Sequence, residues 1–215
     1  MRLFLASQDL GNYAERAAQL AGANKKVAFI RNAGDGNPPE ERNGTTPEKR
    51  AMFEAVGFTF EEIDLRDYFG KSAELAAELS SFGAVWCSGG NTFILRRAMK
   101  ASGLDELLKQ WLAEDRIMYG GWSAGACVAG PSLRGIEHGD RPEPEAAPAD
   151  YPIKETIWEG LALVDFMVVP HTDQDWFKAE AAAAIAVLER RGTTYIPLKD
   201  GEIVVIDGDK QEVLR

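Results

Sequence analysis

Two cysteines and two histidines in 215 residues leave little material for cross-linking or metal binding. Cys87 and Cys127 are too few for a disulfide framework, and a Cys/His metal cage would need more ligands than the chain offers. No cofactor is expected. Positive charge is also scarce, with 24 basic against 34 acidic residues and a net charge of −10. Nucleic acid and anionic membrane surfaces would be repelled by that balance, although one local Arg or Lys suffices for a small anionic substrate. No apolar run approaches the roughly 18 residues of a membrane helix. The opening MRLFLASQDL has too short an apolar stretch for a secretory signal. The cytoplasm is the expected location.

What is present reads as a globular chain, 45% hydrophobic and 27% charged. Its length suits one domain over residues 1–215. Short apolar runs at Arg2–Ala6, Lys26–Arg31, Phe58–Ile63, Ala84–Cys87, Arg116–Tyr119, Phe166–Val169 and Glu202–Ile206 predict strands. Between them, Asn12–Ala21, Pro47–Val56, Ala73–Leu79, Asn91–Lys100, Leu104–Ala113 and Asp175–Arg190 are Ala-rich or apolar at helical spacing. That alternation predicts an α/β fold of three layers, with a mostly parallel sheet between helices. Asn32–Thr46 reads as a polar loop and Gly135–Asp150 as a long excursion holding three of the ten prolines. From Tyr195 onward, alternating residues and Asp-Gly turns predict a C-terminal β-hairpin.

The chemistry concentrates in Gly121-Trp122-Ser123-Ala124-Gly125. This G-x-S-x-G pattern places a serine on a sharp turn from strand to helix, where flanking glycines let the two elements approach and lift the hydroxyl clear. Ser123 is thereby the candidate nucleophile. The amide of Ala124 would face the developing oxyanion. A second Gly-rich turn, Ser88-Gly89-Gly90-Asn91-Thr92, offers the amide of Gly90 as the other donor, with Asn91 capping the helix that follows. For a base there are only His138 and His171. His171 ends an apolar strand, the usual functional edge of an open α/β sheet, while His138 lies in the acidic excursion. The acid that orients the imidazole is open among Glu137, Asp140, Asp173 and Asp175, with Asp140 leading. Cys127 lies a helical turn beyond the nucleophile position and reads as a small buried residue, as does Cys87.

SGGNTFILRRA, YGGWSAGACVAGPSL and VVPH, in that order, resemble the peptidase E and cyanophycinase family of serine peptidases. The resemblance implies a class I glutamine amidotransferase-like fold of flavodoxin-like topology, and a Ser-His-acid relay that hydrolyses short peptides after aspartate. It implies Ser123 as nucleophile, His171 as base, and Gly90 and Ala124 as oxyanion donors. The acid aligns only with a shift, by two residues to Asp140 or by one to Glu137. Family members carry arginines after the histidine to hold the substrate carboxylate. Here TDQDWFKAEAAAAIAV holds only Lys178, which leaves Arg134 as the substitute substrate contact, beside Asn91. A small peptide is the expected partner, and the sequence admits a homodimer. The rival readings are an amidotransferase-like protein and a non-catalytic binding domain on the same fold.

Overall fold

The computed structural model describes the chain apart from residue 45 and the side chains of residues 42–44. Strands β1 (Arg2–Ala6), β2 (Lys26–Ile30), β3 (Thr59–Glu62), β4 (Ala84–Cys87), β5 (Met118–Trp122), β8 (Ile203–Asp207) and β9 (Lys210–Leu214) form one sheet in the order β3-β2-β4-β5-β1-β8-β9. The first five run parallel, and β8 and β9 close the edge as an antiparallel hairpin against β1. Strands β2 to β5 keep the 2-1-3-4 order of a flavodoxin-like sheet, and β1 takes the next place.

Strand periodicity decides what each face buries. Leu3, Leu5, Ile30, Val85 and Tyr119 turn toward α4 (Ser72–Leu79), α5 (Thr92–Ser102) and α6 (Leu104–Ala113). Phe4, Ala6, Phe29, Trp86 and Met118 turn toward α1 (Ala14–Ala21) and α3 (Thr46–Glu54). Both sets are almost fully buried, as expected for a sheet covered on two sides. Helix α5 starts where Asn91 Oδ1 accepts the amides of Phe93 and Ile94, and stops at Gly103 with φ 80°. Among the described residues, no helix is long and apolar enough to cross a membrane.

Two expectations need correction. The stretch 32–46 is not a plain loop: Asn32–Gly34 forms a 3-10 turn, Pro39–Gly44 forms helix α2, and Thr46 opens α3. Residue 45 of that stretch lies outside the described residues. Strand β6 (Met167–Val169) does not join the main sheet but pairs in parallel with β7 (Tyr195–Pro197). The Gly135–Asp150 excursion is irregular, with two short 3-10 turns, as its composition implies. Arg97 of α5 holds it down from a fully buried position, donating to the carbonyls of Pro142 (2.6 Å) and Glu143 (3.4 Å), and also to that of Glu155 just beyond it (3.1 Å). A guanidinium's planar fork suits the bonding of several backbone carbonyls at once.

Candidate active site

The carboxyl ends of β1, β2, β4 and β5 meet at one edge of the sheet, where ligands bind in open α/β folds. Ser123 stands directly after β5, at φ 50° and ψ −115°, and is followed by the short helix α7 (Ala124–Cys127). A non-glycine residue in that region is strained and persists only when its surroundings hold it. They do. The Ser123 amide donates to the carbonyls of Ala6 and Ser7, each at 3.1 Å, and Tyr119 Oη donates to the Gly125 carbonyl at 2.7 Å. A Cβ on Gly121 would lie 2.6 Å from the Gly125 carbonyl, and one on Gly125 only 2.2 Å from the Cys87 carbonyl. The glycines of the motif are therefore required by contact between strand and helix.

The second turn lies alongside. A Cβ on Gly89 would come within 3.1 Å of the Ser123 Cβ. Gly90 has φ 136°, open to glycine alone, and no backbone acceptor takes its amide among the described residues. Ala124 is the first residue of α7, so its amide has no acceptor within that helix. Both residues line the cavity that contains Ser123.

His171 follows Pro170 at the end of β6 and has φ 58°, a second strained residue at the site. Its imidazole is almost fully buried, against Trp176 (ring centres 5.0 Å apart) and Phe177 (5.6 Å). The carboxylate that meets it is Asp200, whose Oδ1 lies 2.7 Å from His171 Nδ1. Ser7, just past β1, ties the pair together: its hydroxyl donates to Asp200 Oδ1 at 2.7 Å and accepts the His171 amide at 2.8 Å. Asp173 accepts the Asp200 amide at 2.9 Å.

Asp200 was not among the acids that the sequence pointed to. Its only signal is the Asp200-Gly201 pair, which reads as turn punctuation. Asp140, the leading sequence candidate, bonds elsewhere: its Oδ2 accepts from the Thr92 amide (2.8 Å) and hydroxyl (2.5 Å) at the start of α5. Burial pushes the Asp140 carboxyl up to about 6, against the pull of the two Thr92 bonds and the nearby His171. Glu137 accepts the Gly135 amide, and Asp175 and His138 are exposed. Asn91 is spent on structure, capping α5 through Oδ1 and donating from Nδ2 to the Arg141 carbonyl at 2.9 Å. Arg134 does not line the cavity, because its guanidinium stacks on Trp158 at 3.6 Å. Burial raises the Cys127 thiol far out of the reactive range and pushes Cys87 up to about 12, so both behave as packing residues.

Ser123, His171, Gly90 and Trp176 border two cavities, of about 400 Å³ and about 290 Å³. Asp140 lines the larger one and Arg31 and Lys49 the smaller. Among the described residues, no group of three or more His, Cys, Asp or Glu side chains could hold a metal ion.

A three-layer α/β sheet with a strained serine elbow and a carboxylate-bound histidine at its carboxyl edge defines the class of protein. Residues 6–214 match the profile of Peptidase family S51, and the chain belongs to that family. It is similar to an uncharacterized peptidase of Pasteurella multocida, at 28% identity over all of this chain and 97% of that protein. A peptidase E of Nostoc sp. PCC 7120 is 30% identical over 79% of this chain and 59% of its own length. Among solved structures, a candidate peptidase E protein from Listeria monocytogenes EGD-e superposes with a TM-score of 0.79 at 24% identity, covering 100% of this chain and 98% of that one. A peptidase from an acI-B1 actinobacterium gives 0.66 at 18% identity, over 99% and 86% of the two chains.

Proposed function

We propose that the chain is a serine peptidase of short peptides, with Ser123 as nucleophile, His171 as base and Asp200 as the orienting acid. The observation that carries this reading is the 2.7 Å contact of Asp200 with His171 Nδ1. That bond keeps the proton on Nδ1 and leaves Nε2 as the acceptor for a hydroxyl proton. His171 and Ser123 border the same two cavities, so both face the space a substrate would occupy. No hydrogen bond joins the Ser123 hydroxyl to another described residue; in unliganded serine enzymes that contact often tightens only with substrate bound.

In the reaction, His171 takes the Ser123 proton as Oγ attacks the carbonyl carbon. The tetrahedral oxyanion rests on the amides of Gly90 and Ala124, where losing one such donor typically costs about 2.7–4 kcal/mol of transition-state stabilisation. Collapse expels the amine, which takes the proton from His171. Water, deprotonated by the same imidazole, then releases the acyl group and restores Ser123. The resemblance to peptidase E puts an N-terminal aspartyl dipeptide on the substrate panel, beside dipeptides with other first residues.

Turnover of a panel of X-Leu dipeptides by wild type and Ser123→Ala tests the reading. Hydrolysis by wild type that disappears in the variant is expected; equal turnover by both would remove Ser123 from the mechanism.

A further inference from the structure

The two cavities beside Ser123 differ in charge. The smaller holds all the Lys and Arg side chains that line either one: Lys49, paired with Asp9, and Arg31, which bonds Thr46 and faces Glu62. The larger is walled by apolar groups such as Ile136, Val169 and Phe177, and its charged lining residues are two carboxylates, Asp140 and Glu180. Glu180, on α8 (Lys178–Arg191), has no hydrogen-bond or ion-pair partner among the described residues. Asp140 uses Oδ2 for Thr92, and its Oδ1 accepts no hydrogen bond from a described residue. The rim carries Trp176, 65% exposed, whose ring face attracts cations.

An anion placed in this chamber would meet two like charges and no Lys or Arg to offset them. An ammonium would supply the missing partner to both carboxylates. On the serine-peptidase reading of Ser123 and His171, we propose that the larger chamber receives the acyl residue of the substrate as an apolar or cationic group, its ammonium answered by Asp140 and Glu180, and rejects aspartate. The leaving end, with its free carboxylate, then falls on the side of Arg31 and Lys49. The ammonium has two sources, the peptide N-terminus or a lysine side chain, and the chamber chemistry is the same for both.

Calorimetric binding to Ser123→Ala, which cannot turn substrate over, reads the chamber separately from catalysis. At pH 7.5, Leu-Leu and Lys-Leu should bind about tenfold or more tightly than Asp-Leu. N-acetylated Leu-Leu should lose affinity if the N-terminus is the ammonium held; Lys-Leu should exceed Leu-Leu if the side chain is. Adding Glu180→Gln should narrow the gap between Lys-Leu and Asp-Leu, and Glu180→Lys should bring Asp-Leu level. Asp-Leu binding as tightly as the others, a gap that survives both Glu180 changes, or no binding by any dipeptide overturns the proposal. Binding in the expected order with no turnover by wild type would instead overturn the peptidase reading and leave the chamber assignment standing.

Discussion

His171 and Asp200 are 29 residues apart in sequence, yet their side chains meet at 2.7 Å. The link is the small parallel pair of β6 and β7. Leu198 donates its amide to the Val169 carbonyl and accepts the Thr172 amide, which sets the turn at Asp200 beside the end of β6.

Asp200→Asn keeps the shape of the acid but cannot hold the productive tautomer. In serine relays of this geometry such a change lowers kcat by up to about 10⁴-fold. A fall of at least about 100-fold is expected here, in kcat rather than KM. Asp140→Asn should cost distinctly less, because Asp140 bonds Thr92 and not the imidazole. Steady-state kinetics of the two variants on one dipeptide ranks the acids.

That ranking was not legible in the sequence. The serine elbow, the Gly90 turn and the strand-end histidine are local patterns, since each depends on the backbone demands of a few consecutive residues. Which carboxylate meets His171 depends on the strand that β6 pairs with, and a three-residue strand carries no register signal of its own. Chain proximity favoured Asp140, and α5 claims it through Thr92. Asn91 is legible as a cap from its place before α5, and its amide, bonded at both ends, is not left over as a substrate contact. The layers and most strands were readable, because fully buried runs such as Leu3–Ala6 and Ala84–Cys87 admit few other roles. The helix at Pro39–Gly44 was hidden by composition, since Gly, Asn and Pro flank it.

Ser7→Ala removes the hydroxyl that donates to Asp200 and accepts the His171 amide. The His171 amide is then buried without a partner, a loss of about 1–3 kcal/mol by urea denaturation. Activity should fall with it, and Ser7→Thr should restore part of both.

Asp140 gives stability a pH dependence of known sign. Its carboxyl is raised from 3.8 to about 6 on folding, so the folded state binds the proton more tightly. Stability from this group is full below pH 3.8, declines as the pH rises to 6, and is flat above. Asp140→Asn removes that decline, so the variant should gain on wild type by about 1–3 kcal/mol between pH 4 and pH 7. Denaturant midpoints at the two pH values measure it; an unchanged difference would mean that the carboxyl is not destabilised by burial.

Native protein should resist iodoacetamide at pH 8, because Cys87 and Cys127 are buried with raised thiol pKa values. Mass spectrometry should find no adduct until denaturant is added. Rapid native labelling at Cys127 would place a reactive thiol beside Ser123 and change the choice of nucleophile.

The most direct measurement is the site and rate of fluorophosphonate addition, read by intact and peptide mass. One adduct on Ser123 is expected, absent in Ser123→Ala and slowed by at least about 100-fold in both His171→Ala and Asp200→Asn. Folded protein that stays unmodified, or that labels at the same rate without His171, would contradict the account.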